Sequence, residues 1–190
     1  MSRIALTGTP GTGKTTVSEL VAEKLDIEVV HLNDAIREAD LVEERDVERD
    51  SLVADLDAVE AWLDDRESKG ADGAVGSDGA AGEHERDVLV ESHLSHLLDV
   101  DRAIVLRCHP DELNPRLRER GESEDSIAEN AESEALDVIL AEAVERHGAE
   151  SVWEIDTTGR PPEAVADDVA AAIEGEAEPR VGVVDFVEYL

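Results

Sequence analysis

The sequence predicts an α/β fold, a parallel five-stranded sheet flanked by helices, on three observations. Short apolar runs alternate with stretches of helical spacing in the order β-α-β-α-β-β-α-α-β-α, which short crossovers fold into one layer of strands between helices. Two runs, Val88-Leu89-Val90 and Ala103-Ile104-Val105-Leu106, are continuously apolar, as central strands covered on both faces are. The first run is stopped by glycine, and a glycine loop leads from it directly into a helix.

Arg3-Ile4-Ala5-Leu6-Thr7 is the first strand, and Val17, Leu20, Val21 and Leu25 keep helical spacing over Thr16–Leu25. Glu28–His31, with Val29 and Val30, is the second strand, and Asn33 or Asp34 caps a short helix through Ile36 to Ala39. Leu41–Asp50 is acidic and irregular. From Leu52 to Lys69 the recurrence of Leu52, Leu56, Val59 and Leu63, with Trp62 beside them, predicts an amphipathic helix. Gly70–Gly82 holds five glycines among Ala, Ser and Asp without periodicity and reads as a flexible surface loop or insertion.

After the two apolar strands, a basic helix lies between Pro110 and Arg120. Ser126 opens a longer one, containing Ile127, Ala131, Ala135, Val138, Ile139 and Val144, that ends near Gly148. Ser151–Asp156 is the last strand, and Pro161 or Pro162 starts a helix running to Gly175. Residues 1–175 thus form one domain, and the tail, 176–190, carries an apolar stretch, Val181–Leu190, that packs back or meets a partner.

A chain of 190 residues suits one core, since domains run to roughly 100–200 residues. Only Trp62, Trp153, Phe186 and Tyr189 are aromatic, so that core is aliphatic. The 49 acidic and 17 basic residues give 17 − 49 = −32. A field of that sign repels phosphodiesters and anionic lipid, which argues against direct DNA binding and a membrane-surface role. Lysine is confined to Lys14, Lys24 and Lys69. A surface rich in carboxylates and poor in lysine suits a cytosol at molar salt, where a Debye length of ~3 Å silences self-repulsion. The regular apolar periods argue against the alternative, a disordered acidic chain. Cys108 stands alone, which excludes an internal disulfide and a Cys-based zinc cluster. No signal peptide is recognisable, and no apolar run reaches the roughly 18 residues of a membrane span. A cytoplasmic location is expected.

Gly8-Thr9-Pro10-Gly11-Thr12-Gly13-Lys14-Thr15 satisfies G-x-x-x-x-G-K-[ST] in the strand–loop–helix context that the pattern requires. Such a loop curls until its backbone N–H groups point at phosphate oxygens, and the following helix turns its positive end to the same charge. Gly11 and Gly13 shape it. Lys14 is expected to bridge β- and γ-phosphates of ATP, Thr15 to give a hydroxyl to Mg²⁺ and Thr16 to donate toward the α-phosphate.

Glu91, Ser92 and His93 follow the strand Val88–Val90, where parallel sheets open toward the nucleotide crevice. Glu91 is placed to orient Mg²⁺ through water, and His93 to position reacting phosphoryl oxygens. His96 reads as a loop residue. Arg37 is placed to bind an acceptor's phosphate. Arg116, Arg118 and Arg120 crowd into five residues of an acidic chain. Either they grip phosphates from a closing lid, or they form a solvated basic face paired with Glu119, Glu122 and Glu124. Arg120 is favoured for the first role because Gly121 behind it can hinge. Arg160 either reaches the adenine side or is an ordinary loop cation.

The stretches Leu6–Thr16 (LTGTPGTGKTT), Asn33–Glu38 (NDAIRE), Val88–His93 (VLVESH) with Leu106–Pro110, and Arg116–Ala143 with its Glu129-Asn130 span nearly the whole chain. Together they resemble the small adenylate kinase family of archaea and eukaryotic nuclei, which doubles as a ribosome-assembly ATPase. The resemblance implies a nucleoside-monophosphate-kinase-like P-loop fold, with ATP and Mg²⁺ at the glycine loop, Lys14, Glu91 and His93 in catalysis, and Thr15 and Glu91 at the metal. It implies an AMP-binding segment at about 32–53 that includes Asp34 and Arg37, and a lid at about 119–129 whose Arg120 contacts ATP, with Arg160 near the base. It also implies ATP + AMP ⇌ 2 ADP, ATPase activity, and ribosomal RNA maturation through a small-subunit ribosomal protein with a basic tail.

Two departures stand out. The family often has aspartate where Glu91 stands and tyrosine where Ser92 stands, and a longer carboxylate holds Mg²⁺ differently, so turnover is expected to be modest. The insertion at about 70–86 is extra. Two alternatives stay open: an ATP-driven assembly switch with little kinase activity, and a P-loop kinase for another small acceptor such as a nucleoside or hydroxy acid.

Overall fold

The computed structural model describes residues 2–46, 51–72 and 87–190. In chain order the elements are β1 (Arg3–Thr7), α1 (Lys14–Leu25), β2 (Glu28–His31), α2 (Leu32–Glu38), β3 (Val42–Asp46), β4 (Ser51–Ala54) and α3 (Leu56–Asp72). Beyond them come β5 (Val88–Glu91), β6 (Arg102–Arg107), α4 (Pro110–Glu119), α5 (Glu124–Ala135), α6 (Val138–His147), β7 (Val152–Asp156) and α7 (Pro162–Ile173). The main sheet is parallel and five-stranded in the order β2-β5-β1-β6-β7. β1 is its middle strand, so the loop that leaves it emerges at the centre of the sheet's carboxyl end.

Alternate residues of the central strands feed two cores. Ala5, Val90, Ala103 and Val105 face one side with Val59 and Leu63 of α3 and Leu140 and Ala143 of α6. Ile4, Leu6, Leu89, Ile104 and Leu106 face the other with Val17 and Val21 of α1 and Val165 and Val169 of α7. Each aliphatic side chain fully buried in this way contributes about 1.5–3 kcal/mol, which is how a chain with few aromatics sustains a two-sided core. A third cluster, Cys108, Leu113, Leu117 and Ile127, joins α4 to α5.

The structure corrects several expectations. Part of Leu41–Asp50 is a strand, since β3 pairs antiparallel with β4. The helix expected from Leu52 therefore begins at Leu56, with Asp55 accepting from Ala58 N at 3.0 Å as its first turn forms. Asn33 and Asp34 do not cap α2, which starts at Leu32 behind His31; Asn33 Oδ1 instead accepts from Ser92 Oγ at 2.9 Å. The long helix expected from Ser126 is two helices. Ser123, not Ser126, caps the first by accepting from Ser126 N. The two are separated at Leu136-Asp137, where Asp137 has φ +56°. Of the insertion expected at 70–86, residues 70–72 continue α3 and the rest lies outside the described residues.

The tail packs back on the domain. Arg180 bridges to the edge of β7, with Glu154 N donating to Arg180 O and Arg180 N to Val152 O. Phe186 is buried edge-on against His109. Among the described residues no helix is long and apolar enough to cross a membrane.

Candidate active site

The loop between β1 and α1 takes a conformation that needs glycine at two places for different reasons. At Gly8, φ +137°, a Cβ would stand 2.3 Å from Leu106 O, so the loop could not lie against β6 with any side chain there. At Gly13, φ +96°, a Cβ would meet nothing within 4 Å. There the constraint is the backbone alone, and the space in front of the N-terminus of α1 stays open. Thr12 closes the turn, its N and Oγ1 both donating to Thr9 O at 3.2 and 3.0 Å.

Lys14 is buried, and its Nζ donates to Gly8 O at 2.8 Å and Thr9 O at 3.1 Å. Burial pushes this ammonium down from its ordinary value of 10.5 to about 8; Glu91 and Glu134 oppose the fall and Arg120 adds to it. A lysine desolvated in this way is a strong, poorly satisfied cation at neutral pH, suited to an arriving polyanion. Thr15 and Thr16 are exposed beside it.

Glu91 ends β5 next to β1, buried, with Oε2 3.0 Å from His31 Nδ1. The Thr15 hydroxyl and the Glu91 carboxylate are hard oxygen donors on two segments at one end of the sheet. They fit a magnesium ion that keeps most of its shell as water and phosphate oxygen. His93 is half-buried, and burial, then the charge of Lys14 and of His96, push its imidazole down to about 4. It is neutral at physiological pH. His96 is no loop residue: it is buried, hydrogen-bonded to Thr7 Oγ1 and Glu142 Oε2 at 3.0 Å each, while its carbonyl meets His147 Nε2 at 2.8 Å.

A cleft of about 580 Å³ opens in front of the loop, lined by Gly11, Gly13, Thr16, Arg116, Arg120 and Arg160 among others. That volume suits a nucleotide-sized ligand. The three clustered arginines separate. Arg116 reaches Gly11 O at 3.2 Å and Glu112 at 3.0 Å, and Arg118 turns outward onto Glu124 at 2.8 Å, as the solvated-face reading expects. Arg120 ends α4 at the cleft with Gly121 behind it at φ +81°. Arg160 also lines the cleft, held by Asp156 O at 3.0 Å and Asp168 at 2.8 Å. The structure does not bring Asp34 and Arg37 into this cleft; they pair with each other across 3.6 Å on the exposed face of α2.

Sequence reasoning missed a buried charge network behind the loop. Arg107, at the end of β6, donates Nε to Glu134 Oε1 at 2.8 Å, Nη1 to Glu154 at 2.7 Å, and Nη2 to Asp137 and Glu134 O at 2.5 and 2.8 Å. The side chains of Arg107, Glu134 and Glu154 are 2%, 2% and 0% exposed. Glu134 also accepts from Cys108 N at 3.0 Å and from Thr9 Oγ1 of the loop. Two signals could have found it. Arg107 directly follows the apolar run Ala103–Leu106, and Glu134 stands seven residues after Ile127, on that helix's apolar stripe.

Residues 4–137, well over half of the chain, match the family described as "AAA domain". A protein of Natronomonas pharaonis named "Putative adenylate kinase" is 56% identical over 99% of both chains. The chain belongs to this small adenylate-kinase-like family. A relative of the same printed name from Pyrococcus abyssi is 40% identical over 97% of this chain and 91% of its own. Among solved structures, shikimate kinase from Acinetobacter baumannii, in complex with shikimate, superposes with a TM-score of 0.55. It is 16% identical over 93% of this chain and 94% of that one, a likeness of fold alone. The family's P-loop kinase fold is thus the scaffold on which the glycine loop, Lys14 and the cleft are set.

Proposed function

We propose that this protein is an adenylate kinase, catalysing ATP + AMP ⇌ 2 ADP. The observation that carries the reading is the desolvated Lys14 over the glycine loop, with Arg120 and Arg160 both lining the adjoining cleft. The names of the archaeal relatives supply the acceptor.

In this reading the amides of the glycine loop and Lys14 take the β- and γ-phosphates of ATP, Thr16 donates to the α-phosphate, and Arg160 lies on the base side. Lys14 exchanges its bonds to Gly8 O and Thr9 O for phosphate oxygens, a substitution of weak partners by charged ones. Asp34 and Arg37, in a segment at about 32–53, receive AMP. A lid at about 119–129 swings on Gly121 to bring Arg120 over the transferred group and to exclude water. An oxygen of the AMP phosphate dianion attacks the γ-phosphorus in line as the bond to the β,γ-bridging oxygen breaks. The electron pair leaves with ADP and no proton need move. Lys14, Arg120 and the neutral His93 meet the charge spread over the equatorial oxygens. Thr15 and Glu91 would hold Mg²⁺, which supplies further charge neutralisation when bound.

A second reading, an ATP-hydrolysing switch that acts on the basic tail of a small-subunit ribosomal protein during ribosomal RNA maturation, draws on the −32 net charge. The same charge supports a cytoplasmic, salt-adapted protein. Coupled assays in concentrated KCl with AMP, other monophosphates, shikimate and water as acceptors decide. ADP formation that depends on AMP and falls by roughly 10²–10³-fold in Lys14→Ala is the expected result. Turnover with water alone would replace the kinase by the switch.

A further inference from the structure

The glycine loop is not held only by its own turn. Thr9 Oγ1 donates to Glu134 Oε2, and Thr9 O is one of the two carbonyls that receive Lys14 Nζ. One residue thus touches the ammonium through its backbone and a buried carboxylate through its side chain. That carboxylate lies in α5, the helix after Gly121, and is fixed from behind by Arg107 Nε and Cys108 N. Arg107 is held in turn by Glu154 and Asp137, and Glu154 Oε2 accepts from Val183 N of the tail at 2.6 Å. Thr9, Glu134, Arg107 and Glu154 are all buried, and the chain of contacts meets solvent at Asp137, whose side chain is 40% exposed, and at the half-buried Val183.

We propose that Glu134 is a positioning residue for phosphate binding: through Thr9 it fixes the peptide that parks Lys14 and anchors the far end of the lid-bearing segment to the loop. The inference rests on reading that loop as the triphosphate site. Two physical consequences follow. The Thr9 peptide stays put while Lys14 moves, so the loop presents its amides without reorganisation. The segment from Arg120 to Ser123 can move while the C-terminal half of α5 cannot, because Glu134 would have to leave Arg107, Cys108 N and Thr9 together.

The test compares Thr9→Val, which keeps shape and branching but loses the hydroxyl, with Thr9→Ser, which restores the donor. The probe is ATP with Mg²⁺ in concentrated KCl, titrated calorimetrically, with kcat and KM measured alongside. Thr9→Val is expected to raise the Kd for ATP about tenfold, the size of losing one buried charge-assisted hydrogen bond. Thr9→Ser stays within about twofold of the original chain. The KM for ATP should follow the Kd, while kcat moves less. Glu134→Gln gives a second arm where it folds: it weakens the contacts to Arg107 and Cys108 as well, but Thr9→Val should cost less in its background than alone, since the two share the Thr9–Glu134 contact, so their effects should not add in the double variant. Unchanged affinity in Thr9→Val, equal loss in Thr9→Ser, or additive effects would overturn the proposal. An original chain that fails to bind ATP, or a Lys14→Ala variant that binds as well, would instead overturn the reading of the loop itself.

Discussion

The glycine loop and α2 sit at the same end of one sheet, yet they are built in opposite ways. Behind the loop, Arg107 and Glu134 are 2% exposed and every charge has a fixed partner. On α2, Arg37 and Asp34 are 67% and 68% exposed and pair with each other at 3.6 Å. A surface pair of that kind contributes little to the fold and is cheaply exchanged for a ligand, whereas a buried network resists any change to one member. The difference teaches that the region behind the loop is preformed by folding while the α2 pair is left adaptable; in the proposed reading, the acceptor end is completed by what binds there.

The largest break in that contrast is expected from Arg107. Arg107→Met leaves Glu134 and Glu154 buried without their cation and should cost about 3–5 kcal/mol of stability, read from chemical unfolding in concentrated KCl. Arg37→Ala should leave that midpoint unchanged. If the two variants unfold alike, the network is not what holds the donor end. Function should invert the order on the acceptor side. In the proposed reading, Arg37→Ala raises the KM for AMP about tenfold to a hundredfold through loss of one charged phosphate contact, with the Kd for ATP unaltered. An unchanged KM would remove Arg37 from the acceptor site.

The same contrast explains what the sequence made legible. The glycine loop could be read because its requirement is local: only glycine sits at Gly8 under Leu106 O or at Gly13 with φ +96°. β5 and β6 could be read because two-sided burial makes Val88–Val90 and Ala103–Leu106 continuously apolar. The β3–β4 hairpin could not, since Leu52 and Leu56 happen to keep helical spacing across the turn into α3. The break between α5 and α6 was hidden for a different reason. Ala131, Ala135, Val138 and Ile139 stay in helical phase through it, and what stops α5 is Arg107, which caps the Glu134 carbonyl and takes the Asp137 carboxylate. That cause lies 27 residues away in sequence, beyond any local pattern. The places of Lys14 and Glu91 followed from the motif and a strand end and that of Arg120 from the glycine behind it; the contacts of Glu134 required the fold.

The smallest expected effect sharpens the donor half alone. Burial holds the free Lys14 ammonium near pKa 8, and a bound triphosphate must keep it charged. If only the charged form binds, the Kd for ATP rises about fourfold between pH 7 and pH 8.5. Lys14→Arg, which keeps its charge throughout, should be flat over that range whatever its starting affinity. The fold itself should respond with the opposite sign. The unfolded lysine holds its proton to its ordinary 10.5 while the folded one releases it near 8. Between those values the unfolded chain binds more protons, so this group's contribution to stability rises with pH. Weaker ATP binding and a firmer empty fold over the same alkaline step, both lost in Lys14→Arg, would assign them to one desolvated ammonium; a pH dependence that survives the substitution would assign them elsewhere.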